Sequence, residues 1–242
     1  MFEKLVPLNQ ERHARTLLSQ ATDFGFAKHL HMAYLTLQEF SLASPLYPIV
    51  FVEHDDSFSP MALLGLSRGQ NLFVNADGRW EAHYIPAIVR RYPFALVASN
   101  TPDQFTVCID EGSPWVGSSE GKPLFDANGQ PTAVIDNVKR YLAELQQMDV
   151  ATAQFSTWLQ TNNMLIPLRL RVRDQDAVRQ ITGCYVVNEE RLNGLSDMLF
   201  LELRSRHFLR AVYAHLLSLA QVERLVELSA ERHAAQTRPD RA

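Results

Sequence analysis

Between Leu46 and Phe94 the apolar residues come in runs too short for helices: YPIVFV, MALLGL, NLFVNA and WEAHYI. Asp55-Asp56-Ser57, Arg68-Gly69-Gln70 and Asp77-Gly78 separate them. Runs of this length bounded by turn residues fit strands, so this block predicts an antiparallel meander or small barrel. Asp77-Gly78 is the clearest turn, because glycine enters the positive-φ region that a tight hairpin demands. Pro86 suits the first turn of a short helix through Arg90 and Arg91, where its missing N–H costs nothing, and Pro93 stops it.

Two further strands follow at Phe94 to Ser99 and Phe105 to Ile109. The segment from Glu111 to Gln130, with four glycines and two prolines, reads as a loop and as the best boundary in the chain. Beyond it the period changes. Val138, Tyr141, Leu142, Leu145, Met148, Phe155, Trp158 and Leu159 recur at three- and four-residue steps, which places them on one face of a long helix. Met164 to Val172 and Ile181 to Val187 supply two more strands, Asn188 and Ser196 fit helix N-caps, and a last helix is expected from Phe208 to Leu228. Upstream, Asn9 to Leu42 reads as helix or mixed structure.

The fold class expected is therefore α+β, with a β-rich meander or small barrel in the first half and helices with a few strands in the second. Residues 1–130 form the β-rich part, 131–230 a mainly helical part packed on it, and 231–242 a flexible tail.

The 242 residues are 46% hydrophobic, enough for a sizeable core, and disorder of the whole chain is excluded. A formal charge of -4 from 23 basic and 27 acidic residues, without a long block of one sign, gives no footprint for nucleic acid. The N-terminus lacks the pattern of a secretory signal, and no window approaches a membrane span, so a cytoplasmic protein is expected. Cys108 and Cys184 lie in strand-like apolar runs without a neighbouring cysteine and read as buried thiols of a reducing compartment.

Motifs of chemistry are absent. There is no Gly-x-Ser-x-Gly elbow, no HExxH helix and no GxGxxG fingerprint, and the glycine-rich loop lacks the GK[ST] ending of a phosphate-binding loop. His29, His31 and His54 with Asp55 and Asp56 are the one cluster with metal-ligand chemistry. The weak candidates His54 and Asp55 are adjacent, so on a strand they would point to opposite faces, and no metal or cofactor is predicted. Arg90 and Arg91 can grip a phosphate or carboxylate, because guanidinium forks make bidentate bonds to oxyanions. Tyr47, Trp80, Tyr84 and Tyr92 can line a groove for an extended peptide, their rings giving area and their polar atoms fixing register.

YPIVF, ALLGL, Gly69 with NLFV, Gly78 with Trp80, YIPA and above all RRYPF resemble the bacterial SapC family. So do Gly183 and Tyr185, then Asn188-Glu189-Glu190-Arg191-Leu192, and YAHLLSL in the second half. One departure stands out: where the family leads one to expect a glycine between the last two helices, this chain has Ser205-Arg206-His207-Phe208. The resemblance implies a link to bacterial surface layers and supplies no catalytic residues. The leading expectation is a non-catalytic accessory protein that binds a protein or peptide client. The alternative is an enzyme or enzyme partner in which Arg90 and Arg91 hold an anionic substrate or cofactor and His54 or Asp55 moves protons. A homodimer through the terminal apolar helix is a third expectation.

Overall fold

A computed structural model describes residues 1–20, 23–99, 104–117, 119–174 and 177–237. The protein is α+β. In chain order its strands are β1 (Leu5–Pro7), β2 (Leu17–Leu18), β3 (Met32–Tyr34), β4 (Ile49–His54), β5 (Ser57–Leu63), β6 (Phe94–Ala98), β7 (Phe105–Asp110), β8 (Lys122–Pro123), β9 (Leu165–Pro167), β10 (Leu170–Asp174), β11 (Ala177–Ile181) and β12 (Cys184–Val187). The α-helices are α1 (Gln10–His13), α2 (Phe40–Ala43), α3 (Ala87–Arg90), α4 (Ala133–Thr161), α5 (Glu189–Asn193), α6 (Asp197–Ser205), α7 (Leu209–Ser218) and α8 (Gln221–Thr237).

The main sheet runs β3-β5-β4-β12-β9, every pair antiparallel. Its centre is the β4–β5 hairpin, closed by Asp55 and Asp56 with φ of 45° and 59°, the two positive values that a two-residue hairpin turn requires. β9 and β12 come from beyond residue 130, so both halves of the chain share one sheet and one core. A smaller sheet, β1-β7-β6, carries its own apolar cluster around Phe94, Ile109 and Ile135. The long helix α4 joins the two: Ile135 and Leu142 pack on the smaller cluster, Phe155 and Leu159 on the larger.

Only the first two of the four expected strand runs are strands. Leu72, Phe73 and Val74 are buried, as a core strand would be, but Val74 meets Trp80 in a single bridge across the Asp77-Gly78 turn. The reason is where their backbone bonds go. Arg232 of α8 donates to the carbonyls of Asn71 (2.6 Å), Leu72 (3.3 Å) and Val74 (2.7 Å), and the Asn71 side chain accepts from Phe73 N. A guanidinium does the work of a neighbouring strand. These bonds tie α8 to residues 71–74 at Arg232, and the helix continues to Thr237; of the tail expected over 231–242, residues 238–242 lie outside the described residues.

The expected last helix is two helices, α7 and α8. Ser218 ends α7: its hydroxyl donates back to the His215 carbonyl (2.6 Å) and accepts from Ile49 N (2.9 Å), so it competes with the helical bonding of its own turn. Asn188 and Ser196 are N-caps, accepting from Arg191 N and Leu199 N. Cys108 and Cys184 are buried free thiols. Among the described residues no helix is long and apolar enough to cross a membrane.

Candidate functional site

Arg90 and Arg91 follow from α3, whose single turn starts behind Pro86 and hands the chain to β6 through Tyr92 and Pro93. The turn sets the two guanidinium groups to different tasks. Arg90 is exposed, donates from Nε to the Ile85 carbonyl (2.9 Å), and stacks on Tyr84 and Tyr141, with ring centroids 5.5 and 5.6 Å from its guanidinium carbon. Arg91 turns inward. Its guanidinium carbon lies 5.6 Å from the Phe2 ring, and its Nε is buried with no hydrogen-bond partner among the described residues.

Arg91 borders a cleft of about 280 Å³ between the Arg90–Phe94 segment, the first turns of α4 and the loop at Trp115. Its walls are mostly aromatic and aliphatic, with Tyr92, Phe94, Trp115 and Leu142 among them, and Asn137 adds an exposed amide. The aromatic wall is braced from behind. Phe26 stacks on Tyr92 with centroids 3.9 Å apart, and Trp115 meets both rings edge-on, at 5.4 and 5.1 Å.

Arg90 and Arg91 are linked through Tyr84 and Asp149 to a polar cluster around Glu39. Glu39 is 5% exposed, yet its carboxylate accepts four hydrogen bonds: from Tyr84 Oη and Ala87 N at 2.7 Å, and from Thr36 N and Oγ1 at 2.8 and 2.9 Å. Burial pushes the Asp149 carboxyl above its usual range, opposed by the Tyr34 hydroxyl and by the charge of Arg91. Tyr34 and Tyr84 are pushed well above a free phenol, mainly by burial and in part by these carboxylates. The same desolvation lowers Arg91, and Asp149 and Tyr141 oppose it.

The candidate residues therefore separate into groups. Arg90, Arg91 and Tyr92 border the cleft, with Tyr84 held to them through Arg90. Tyr47 is fully buried: its hydroxyl donates to the Tyr84 carbonyl and accepts from Nε1 of the half-buried Trp80 (3.0 Å), so the Tyr47 ring packs under the block rather than on a surface. His54 and Asp55 pair with each other at 3.1 Å on the exposed β4–β5 turn, held to solvent by the turn rather than splayed by a strand. That turn meets the far end of α4, where Gln160 donates to the Asp56 carbonyl. Tyr141, which Arg90 covers, is 19 residues earlier on the same helix, roughly 28 Å along its axis. His54 and the arginine pair do not converge. His29 binds the Gly69 carbonyl, and among the described residues no three His, Cys, Asp or Glu side chains gather as a metal site.

The family of this chain is decided by a match that spans most of it: the SapC family model covers residues 8–225. The chain belongs to the SapC family. No curated protein and no solved structure matches it. The matched region includes the whole Arg90–Phe94 segment, Trp115 and all of α4, so the cleft is built from family sequence. It also includes the place where a glycine is expected, and there His207 adopts φ of 60°, the left-handed conformation that glycine would enter freely. Sequence reading missed Glu39, Tyr141, Asp149 and Trp115. Glu39 alone left a local signal, the Thr-x-x-Glu spacing of a capping box from Thr36.

Proposed function

We propose that this SapC protein is a non-catalytic accessory protein that receives a protein or peptide client at the Arg91 cleft, in the cytoplasm, during surface-layer or outer-surface biogenesis. The observation that carries the reading is Arg91 itself. Its Nε is shut away from water without a hydrogen-bond partner, which is costly, and an oxyanion on this half-buried guanidinium would offset that cost. Aromatic walls beside it supply contact area at little conformational cost, as at other peptide-receiving surfaces. The buried free thiols of Cys108 and Cys184 agree with a reducing compartment, and the surface-layer setting rests on the family likeness.

Crosslinking and pull-down from the native host test it. Wild-type protein is expected to recover a specific protein partner, and Arg91→Gln to lose most of that recovery. No specific partner, or recovery indifferent to Arg91, contradicts the proposal.

A second reading, an enzyme for an anionic substrate held by Arg90 and Arg91, draws on one observation, the burial-raised Asp149 carboxyl near Arg91 and Tyr34. His54 and Asp55, on the β4–β5 turn beside the far end of α4, are too distant to serve it. Native mass spectrometry on protein from its own host distinguishes the two: a stoichiometric small ligand favours the enzyme, a protein partner the accessory.

A further inference from the structure

Four buried side-chain nitrogen or oxygen atoms lack a hydrogen-bond partner among the described residues: those of His13, Arg91, Ser156 and Trp158. Of these only the arginine carries a permanent charge. It also borders a cleft with an aromatic wall.

Charge decides what fits there. Arg90 lines the cleft too, but its Nε donates to Ile85 and its guanidinium lies over two tyrosine rings, so the donor left without a partner belongs to Arg91. The carboxyl groups of Glu39 and Asp149 are close enough to influence each other, and Asp149 is close enough to influence Arg91. A dianion such as phosphate would bring a second charge and its hydration against walls that are mostly apolar, with Asp149 close to Arg91. A monoanion brings one. The volume, about 280 Å³, is at the small end for ligand sites, and most of its wall is apolar.

We infer that the cleft takes a single carboxylate carried beside an apolar or aromatic side chain, with the carboxylate on Arg91 and the side chain against Tyr92 and Trp115. The inference rests on the client reading, in which that group is the C-terminal end of the client chain; a free hydrophobic carboxylic acid has the same chemistry. Arg91 here is a binding residue, and Asn137 at the mouth tunes approach without supporting the fold.

NMR titration of uniformly labelled protein tests this, with the Trp115 indole and Arg91 Nε–H resonances as reporters. The probes are N-acetylphenylalanine, its amide, a tripeptide ending in phenylalanine with a free carboxylate, and inorganic phosphate. The free acid is expected to bind roughly tenfold or more tightly than the amide, the difference that one charged hydrogen-bonded contact makes. Arg91→Gln should abolish that difference. Asn137→Asp, an exposed change with no packing role, should weaken the acid several-fold and leave the amide alone, which keeps the test valid if Arg91→Gln fails to fold. The tripeptide binding at least as well as the free acid assigns the group to a chain end; the free acid alone binding assigns it to a small molecule. Equal binding of acid and amide, or tighter binding of phosphate, overturns the inference. If the acid fails to bind while client capture still depends on Arg91, the ligand class is wrong and the client reading stands. If the acid binds and no client is ever captured, the reverse holds.

Discussion

Glu39 and Arg91 both carry charge into the interior beside α4, and the fold treats them differently. Glu39 meets four donors on its two oxygens, two of them backbone amides that fix the starts of neighbouring turns. Arg91 meets the Phe2 ring, the cleft and the nearby charge of Asp149, with no hydrogen bond from its buried Nε among the described residues. A buried charge with a full set of partners is a structural fastener. One without them costs stability and persists for some other reason. The contrast separates framework from site where a count of buried polar residues would not.

The largest expected effect lies on the Glu39 side. Glu39→Ala would strand the Tyr84 hydroxyl, the Thr36 hydroxyl and two amides, and should cost about 3–5 kcal/mol in urea unfolding. Glu39→Gln is hardly gentler, since its amide nitrogen would face two donors where an acceptor is needed. A loss under about 1 kcal/mol would break the comparison.

His215 belongs with Glu39 and sharpens the point. It is fully buried, accepts from Val187 N at Nε2 (3.0 Å) and donates from Nδ1 to the Ile49 carbonyl (2.9 Å), so it is neutral and pins α7 to β12 and β4. Burial pushes it down to about 4. Above about pH 6.5 neither folded nor unfolded chain is protonated there, and the group adds no pH dependence. As pH falls from about 6.5 towards 4, the unfolded state takes up a proton that the folded state refuses. Stability should therefore drop by up to about 3 kcal/mol across that window. Unfolding midpoints measured from pH 7 to 4.5 should fall for wild type and flatten for His215→Gln. A wild-type profile without that fall would contradict the assignment.

A smaller effect is expected at His207, whose φ of 60° costs a side-chain residue about 1–2 kcal/mol, partly offset because glycine gains more freedom when unfolded. His207→Gly should raise stability by about 0.5 kcal/mol. Destabilisation would mean that the side chain is held there by contacts of its own.

Much of this was legible in the sequence, and the failures have a common cause. Local signals were read correctly: the Asn188 and Ser196 caps, the α4 stripe, the Asp77-Gly78 turn, and the RRYPF segment that borders the cleft. What escaped depended on partners distant in sequence. NLFV carries the composition of a strand and is none, because Arg232, some 160 residues on, satisfies the carbonyls of Asn71, Leu72 and Val74. Tyr47 and Trp80 look like groove aromatics until the hydroxyl of one is found to close on the other under the block. Trp115 and Tyr141 reach the cleft from a glycine-rich loop and from a helix whose stripe reads only as core, and Asp149 of the same helix acts on Arg91. Arginine 91 was visible as a residue type; its lack of partners was not, since absence of contact is a property of the fold.

The most direct test of that difference is the equilibrium unfolding of Arg91→Met, which keeps the apolar stem and removes the charge. If Arg91 is held for a ligand rather than for the fold, the variant should unfold at the wild-type denaturant concentration or slightly above it. A loss comparable with that of Glu39→Ala would contradict this and make Arg91 another fastener.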